Sequence, residues 1–349
     1  MSVVTYKCPN CGGELTFDPK SQKFQCEYCL SSFEEQELEH PATDAPDAGT
    51  ETPADEAVPE EDAVVYSCPN CGAEIITDST TAATFCFYCH NPVILSGRLD
   101  GSLKPDAIIP FVIGREDAVN RFCDWIKKKW FVPRAFFSKE QIEKVSGIYF
   151  PYWLYECQME GSFHATGDRV RAWTSGDYRY TEHSYYDVRR GGILHFRDLM
   201  KNALKKADAN LSTGVLPFET RKIVPFSMAF LSGFQAEKRD IEIKELNDEI
   251  AGEMQNYARQ LLRESADSYT SLSGESSQVR ITGDSAQYVL LPVWILTYPK
   301  NGKTYYYAMN GQTGKVCGIL PVDWGKLLLV SGLLTVLLFL LLFLGGCFL

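Results

Sequence analysis

Apolar residues along the chain follow several distinct rhythms, and each rhythm predicts a different element. Between Arg115 and Trp130 the apolar face is carried by Ala118, Phe122, Trp125, Ile126 and Trp130 at helical intervals. Lys127, Lys128 and Lys129 close that helix, where cations suit its dipole, either as a solvated end or as a contact for anionic lipid. A longer helix is predicted by Ile243, Leu246, Ile250, Met254, Tyr257 and Leu261, whose steps of three and four make a narrow stripe. The stripe suits core packing or the docking of a partner helix. From 288 to 320, β-branched and aromatic runs are interrupted by Asn301-Gly302 and Asn310-Gly311, which predicts a three-stranded meander.

The pattern changes completely after Lys326. Residues 327–344 contain no charge and are apolar on every side, and eighteen residues at about 1.5 Å each reach roughly 27 Å, close to a bilayer's hydrocarbon core. A transmembrane helix over 326–349 is expected, with Ser331 and Thr335 bonding to its own carbonyls and Trp324 and Lys326 at the inner interface. The simplest topology is a single-pass tail anchor in the cell membrane, with the bulk of the chain cytoplasmic. Cys347 stands third from the end, where a prenylation signal needs a cysteine fourth.

At the other extreme, residues 34–62 show no apolar rhythm. They hold twelve acidic side chains and neither Lys nor Arg, so a disordered, self-repelling tether is expected there. This stretch alone accounts for the net charge of -11.

The cysteines carry the clearest chemistry. Of twelve, eight form the frame C-x2-C, fourteen residues, C-x2-C twice over: Cys8, Cys11, Cys26 and Cys29, then Cys68, Cys71, Cys86 and Cys89. Two close pairs joined by a hairpin place four thiolates tetrahedrally, the closed geometry of structural zinc, so two zinc ribbons holding two Zn2+ are expected. Gly12 and Gly72 allow the sharp turn after each first knuckle, and Pro9 and Pro69 stiffen it. So small a module depends on its metal to fold. Rubredoxin-like iron uses the same ligands, and disulfides would need an oxidising compartment, for which MSVVTYKCPN offers no secretory signal. His90 is read as a neighbour of Cys89 or a substitute ligand. Cys123, Cys157, Cys317 and Cys347 form no close-spaced pair.

Zinc ribbons often bind nucleic acid, but that requires Lys and Arg against phosphate. Between Lys23 and Arg98 there is no basic residue, and the first ribbon has only Lys7, Lys20 and Lys23. Protein contact or scaffolding is therefore preferred. GQTGK at Gly311 lacks the spacing and the Ser or Thr of a phosphate-binding loop. His164, His183 and His195 share a tyrosine-rich region with Asp168, Asp177, Glu182 and Asp187, but no catalytic motif links them, and a half-exposed sheet is expected. A weaker repeat, IIPF at Ile108 with IVPF at Ile223 and FPYWLYE at Phe150 with LPVWILT at Leu291, raises the question of an internal duplication.

With the twin C-P-N-C-G knuckles, the P-x-W strands, NGQTGKV at Asn310 and the apolar tail together, the chain resembles a bacterial family of membrane-anchored zinc-ribbon proteins. Members carry labels such as transcription-factor-IIB-type zinc ribbon, or similarity to the primosomal replication-restart helicase. The helicase label does not suit a chain without motor motifs. The resemblance implies an accessory membrane component beside a phage-shock-protein-A-like envelope-stress protein and a flotillin-like or virion-core-like partner.

The expectation is an α+β protein: zinc ribbons at 1–33 and 65–97, a linker at 34–64, a mixed antiparallel-sheet and helix domain at 103–322, and the anchor. Its expected role is a non-enzymatic adaptor at the membrane. The alternative is a membrane-tethered nucleic-acid factor in transcription or replication.

Overall fold

The computed structural model describes residues 3–38, 64–68, 74–86, 92–99, 101–300 and 302–347. The strands of the N-terminal quarter are β1 (Val3–Val4), β2 (Leu15–Asp18), β3 (Lys23–Cys26), β4 (Ser32–Phe33), β5 (Val64–Ser67), β6 (Glu74–Thr77), β7 (Thr81–Phe85) and β8 (Pro92–Leu95). Then come β9 (Ala107–Ile108), α1 (Arg115–Lys127), α2 (Lys139–Ile142), β10 (Ser146–Ser175), β11 (Tyr178–Asn202), α3 (Ala209–Gly214), β12 (Val224–Pro225) and β13 (Gln235–Glu237). The chain continues through α4 (Ile243–Glu264), β14 (Ser271–Lys300), β15 (Lys303–Asn310) and β16 (Val316–Ile319) to α5 (Trp324–Cys347). The fold is α+β, with a mixed sheet and helix domain and one long apolar C-terminal helix.

Two compact units divide the chain. The first takes residues 1–151, 206–238 and 290–349, and the second takes 152–205 and 239–289, so β10 and β14 each contribute to both. Strands β7 and β8 of the second cysteine frame are built into the larger sheet: β1 pairs with β8, β8 with β7, β7 with β13, and β13 in parallel with β10. Strand β8 is buried at every position and β7 at Ala82, Ala83 and Thr84, which explains the placement, since strands covered on both faces belong inside a sheet.

In the first unit the core is aromatic. Phe111 stacks on Phe234 at 4.2 Å and meets Tyr149 and Trp294 at 5.0 Å each, while Trp294 Nε1 donates to Ile113 O at 2.9 Å. Helix α1 opens with Glu116 and Asp117, and buries Ala118, Phe122 and Ile126, with Phe122 against Tyr307. It stops at Lys127, so Trp130, expected on its apolar face, lies beyond the helix and is 78% exposed. The meander forms as the sequence suggests, closing β14 to β15 at Lys300↔Lys303. The second turn is longer than two residues. Asn310 is buried and donates to Val215 O and Pro217 O, while its oxygen accepts from the Gln312 and Thr313 amides.

The echoing segments IIPF and IVPF lie side by side, because β9 and β12 pair antiparallel through Ile108↔Val224. Ser138 and Asp208 cap α2 and α3 through side-chain oxygens.

In the second unit, β11, β10 and β14 form the sheet and α4 covers one face. Along β10, buried Cys157, Met159, Phe163 and Ala165 alternate with exposed Gln158, Glu160, Ser162 and His164. Ile250, Met254, Ala258 and Leu262 of α4 pack on the buried set. A Cβ on Gly161 would meet Leu262 at 2.7 Å, so its absence lets the helix approach. Tyr257 and Leu261, expected in the apolar stripe, are exposed, because steps of four through Ala258 set the contact line. At the helix entrance Trp153 Nε1 donates to Ile241 O at 2.9 Å, and Arg239 lies over the Trp153 and Tyr288 rings.

The hairpin tip carries the tyrosine-rich region as exposed sheet. His183 Nδ1 lies 2.7 Å from Asp168 Oδ2 and His164 Nε2 lies 2.6 Å from Asp187 Oδ1, a contact that holds Asp187 below the usual carboxylate range. Trp173 stacks on Tyr180 at 5.6 Å across the hairpin.

Candidate metal centre

The first cysteine frame closes around a single point. Strands β2 and β3 pair from Leu15↔Cys26 to Asp18↔Lys23, and β4 adds to β3. That hairpin brings the two knuckles together. Gly12 N donates to Cys8 O and Leu30 N to Cys26 O, each at 2.9 Å, so both knuckles make the same turn. Each turn then needs a left-handed residue. Gly12 supplies it at φ +70° in one knuckle and Leu30 at φ +59° in the other. The residue after Gly12 must also lack a side chain, since a Cβ on Gly13 would lie 2.6 Å from the Tyr28 ring and 3.2 Å from Cys26 Sγ.

The four Sγ atoms of Cys8, Cys11, Cys26 and Cys29 all lie within 4.8 Å of one another. Cys8–Cys29 and Cys11–Cys26 are each 3.5 Å apart, too far for a disulfide bond of about 2.05 Å. A tetrahedron with metal–sulfur bonds of about 2.3 Å has edges of roughly 3.8 Å. The thiols therefore fit one tetrahedral ion. Cys8 and Cys26 are buried, Cys11 and Cys29 exposed.

Electrostatics around the sulfurs also favours a cation. The Ser31 hydroxyl and amide bring Cys29 down to about 6. For Cys11 the Gly13 amide acts in the same direction, but the crowding sulfurs of Cys29 and Cys26 outweigh it and push the thiol up to about 12. Four sulfurs this close cannot all ionise without a positive charge among them, and a bound dication removes that conflict.

Within the first unit the ribbon packs through Phe17 and Phe24. Phe17 meets Phe230 at 5.2 Å and Phe234 at 6.5 Å, and Phe24 meets Phe230 at 5.9 Å. Backbone bonds fix the register: Phe17 N donates to Ser232 O at 3.0 Å, the Ser232 hydroxyl donates to Leu15 O, and Gln22 Nε2 donates to Phe111 O at 2.7 Å. Lys20 and Lys23 are engaged by carboxylates, Lys20 at 3.8 Å from Glu116 and 3.7 Å from Asp117, and Lys23 at 3.3 Å from Glu34. Glu34, expected in the tether, is ordered by a reciprocal cap with Glu37.

Of the second frame, Cys68 and Cys86 are buried in one apolar cluster with Tyr66, Ile75, Val93 and Leu95. Cys71, Cys89 and His90 lie outside the described residues. Among the described residues the only cluster of metal-ligating side chains is the first frame. The second frame is held by Arg98, which donates to Asp78 O and Thr81 O, and by an ionic group in which Lys206 lies 2.7 Å from Asp78 and 2.8 Å from Glu237. Sequence reasoning missed Ser31 and Leu30. The signal was their place after Cys29, equivalent to Gly13 and Gly12 after Cys11.

Helix α5 stands apart by composition. Residues Trp324–Phe343 are long and apolar enough to cross a membrane, and none of that surface is buried. Asp323 begins it by accepting from the Lys326 and Leu327 amides.

No family model matches the chain, and no solved structure matches it. Among known proteins, the uncharacterized protein YdjG of Bacillus subtilis (strain 168) is 31% identical over 326 residues, spanning 93% of this chain and 92% of the relative. Similarity at that level over nearly the full length of both chains shows that the chain belongs to the same family as YdjG.

Proposed function

We propose that the protein is a non-enzymatic, membrane-anchored adaptor whose zinc ribbons present a surface for a protein partner. Zinc is the ion that suits a closed site of four cysteines, and the second frame holds a second ion through Cys68, Cys71, Cys86 and Cys89. Helix α5 anchors the chain once, with its bulk in the cytoplasm. The observation that carries the adaptor reading is the exposed second knuckle of the first ribbon. Tyr28 is 78% and Leu30 83% exposed there, bordering an open groove that Phe17 and Phe234 also line. Two apolar side chains held outward by a metal-locked turn form a small, rigid anchor for a partner. The carboxylates against Lys20 and Lys23 support protein over nucleic acid as that partner.

The partner class implied by the resemblance is a phage-shock-protein-A-like or flotillin-like membrane-stress protein. We also read the β9–β12 pairing as the trace of a diverged duplication. The test is affinity purification of the full-length, detergent-solubilised protein beside a Tyr28→Ala/Leu30→Ala variant. Loss of the stress protein with unchanged metal content is the expected result. Equal recovery from both would overturn the adaptor reading, and salt-sensitive nucleic acid in its place would favour the alternative.

A further inference from the structure

The turn that follows α1 is bonded to the first turn of α5. Asp323 N donates to Phe131 O at 2.7 Å, and Lys326 Nζ donates to Val132 O at 3.0 Å. Between Trp130–Val132 on one side and Leu320–Val322 on the other lies an apolar groove of about 450 Å³, with Lys128 and Lys129 at its rim. Trp130 is 78% and Trp324 68% exposed, and Val322 is also exposed. Lys127 is paired with Asp124 at 3.2 Å and Lys129 lies over the Trp125 ring at 5.4 Å. Among the described residues no carboxylate lies within ion-pair distance of Lys128 or Lys129.

From this arrangement we infer that residues 128–132 and 320–324 form a docking surface for anionic phospholipid headgroups. The inference rests on the reading of α5 as a membrane anchor. Once α5 enters the bilayer, hydrogen bonds of 3.0 Å or less to its first turn hold Phe131 and Val132 at headgroup depth. An exposed indole is most stable at that depth, its ring against the acyl boundary and its N–H in the polar layer. Trp130 and Trp324 are then two belt residues from separate segments. Phosphate is favoured over a neutral headgroup because each lysine near an anionic surface raises local binding about fivefold. The groove accepts the glycerol and upper acyl region, and the lysines at its rim meet the phosphate. Such a surface fixes the orientation of the folded unit to which it belongs, so that α5 is not a free tether.

The test uses the full-length protein in nanodiscs of phosphatidylcholine with a minority of phosphatidylglycerol, with bromine on the upper acyl carbons of one lipid at a time. The Trp130 signal is the difference between the native protein and Trp130→Phe, and Trp324→Phe supplies the reference for the anchor. Quenching of both indoles is expected. Trp130 should be quenched more by brominated phosphatidylglycerol than by brominated phosphatidylcholine, an excess lost in Lys128→Gln/Lys129→Gln. Quenching of Trp324 without Trp130 would overturn the docking surface while leaving the anchor intact. Quenching of neither would overturn the anchor and this inference with it. Equal quenching by the two lipids, unchanged in the lysine variant, would overturn the choice of anionic lipid.

Discussion

At an offset of sixty residues the two cysteine frames align position for position, yet they are held by different forces. Leu15 corresponds to Ile75 and Cys26 to Cys86, and all four are buried. Phe17 and Phe24, which dock the first ribbon, correspond to Thr77 and Thr84. In the first frame β2 pairs with β3 and the hairpin closes on itself. In the second, β6 pairs with β5 while β7 pairs with β8 and β13 of the larger sheet. One frame is a module laid on the domain by aromatic side chains, and the other gives its strands to the domain. Identical ligand spacing thus does not set the source of stability around the cysteines.

The largest expected difference appears on removing the metal. Apparent binding energies of structural zinc in isolated fingers are about 10–16 kcal/mol, more than two short hairpin strands supply. Chelation, or Cys26→Ser, should therefore abolish hydrogen-exchange protection across β2 to β4, while β7 and β8 keep theirs through β13. Metal analysis of Cys26→Ser and Cys86→Ser should show one ion lost from two in each variant. Protection in β2 to β4 that survives chelation would show that the first ribbon does not depend on its metal.

Next in size is the aromatic docking. Phe17 is buried against Phe24, Phe230 and Phe234, so Phe17→Ala should cost about 3–5 kcal/mol. Thr77→Ala at the equivalent place should cost less than about 1 kcal/mol, since no partner satisfies its buried hydroxyl among the described residues. Denaturant midpoints of the two variants measure the comparison directly, and equal losses would break it.

How far this was legible in the sequence follows from the range of each interaction. The Cys8 to Cys29 cluster was legible because ligand spacing is local, and α5 because its apolar run is unbroken. The exit of β7 and β8 into the sheet was not, since it depends on Gln235–Glu237, some 150 residues away, and three residues carry no readable period. Trp130 was misplaced for a related reason. Its position continues the helical face, but the helix ends at Lys127 and the turn is held instead by Asp323 and Lys326. Tyr257 and Leu261 fit a stripe by spacing alone, whereas Ala258 decides the contact because the sheet beneath it is close.

A smaller effect separates Asp18 from Asp78, which are also equivalent. Both bond the amides two and three residues on: Asp18 those of Lys20 and Ser21, Asp78 those of Thr80 and Thr81. Burial raises both carboxyls, but hydrogen bonds outweigh it, from Ser21 at Asp18 and from Lys206 and Thr81 at Asp78, where the depression is larger. A depressed folded value means stability that is present above the unfolded value of about 4 and lost as pH falls below it. Glu237 in the same group works in the opposite sense, since burial raises its carboxyl. Asp78→Asn should therefore cost about 1 kcal/mol at neutral pH and flatten the acid limb of stability below pH 4 more than Asp18→Asn does. Unfolding followed from pH 6 to pH 2 checks this, and parallel acid limbs would remove the distinction.

The smallest effect lies within the first ribbon and bears on function. Gly12 and Leu30 share the left-handed position of their knuckles, at φ +70° and φ +59°. A Cβ on Gly12 would meet nothing within 4 Å, so Gly12→Ala isolates backbone strain and should cost about 1 kcal/mol. Leu30→Gly should relieve the same strain, offset in part by the freedom glycine gains when unfolded, for a net gain below about 1 kcal/mol. The midpoint of metal release to a competing chelator reads both changes, with opposite signs expected. On that outcome the Leu30 side chain, which is 83% exposed, contributes nothing to the ribbon's own fold. Leu30→Gly should therefore hold its metal more firmly while recovering less of the partner. A variant that loses both together would assign Leu30 to the knuckle rather than to the binding face.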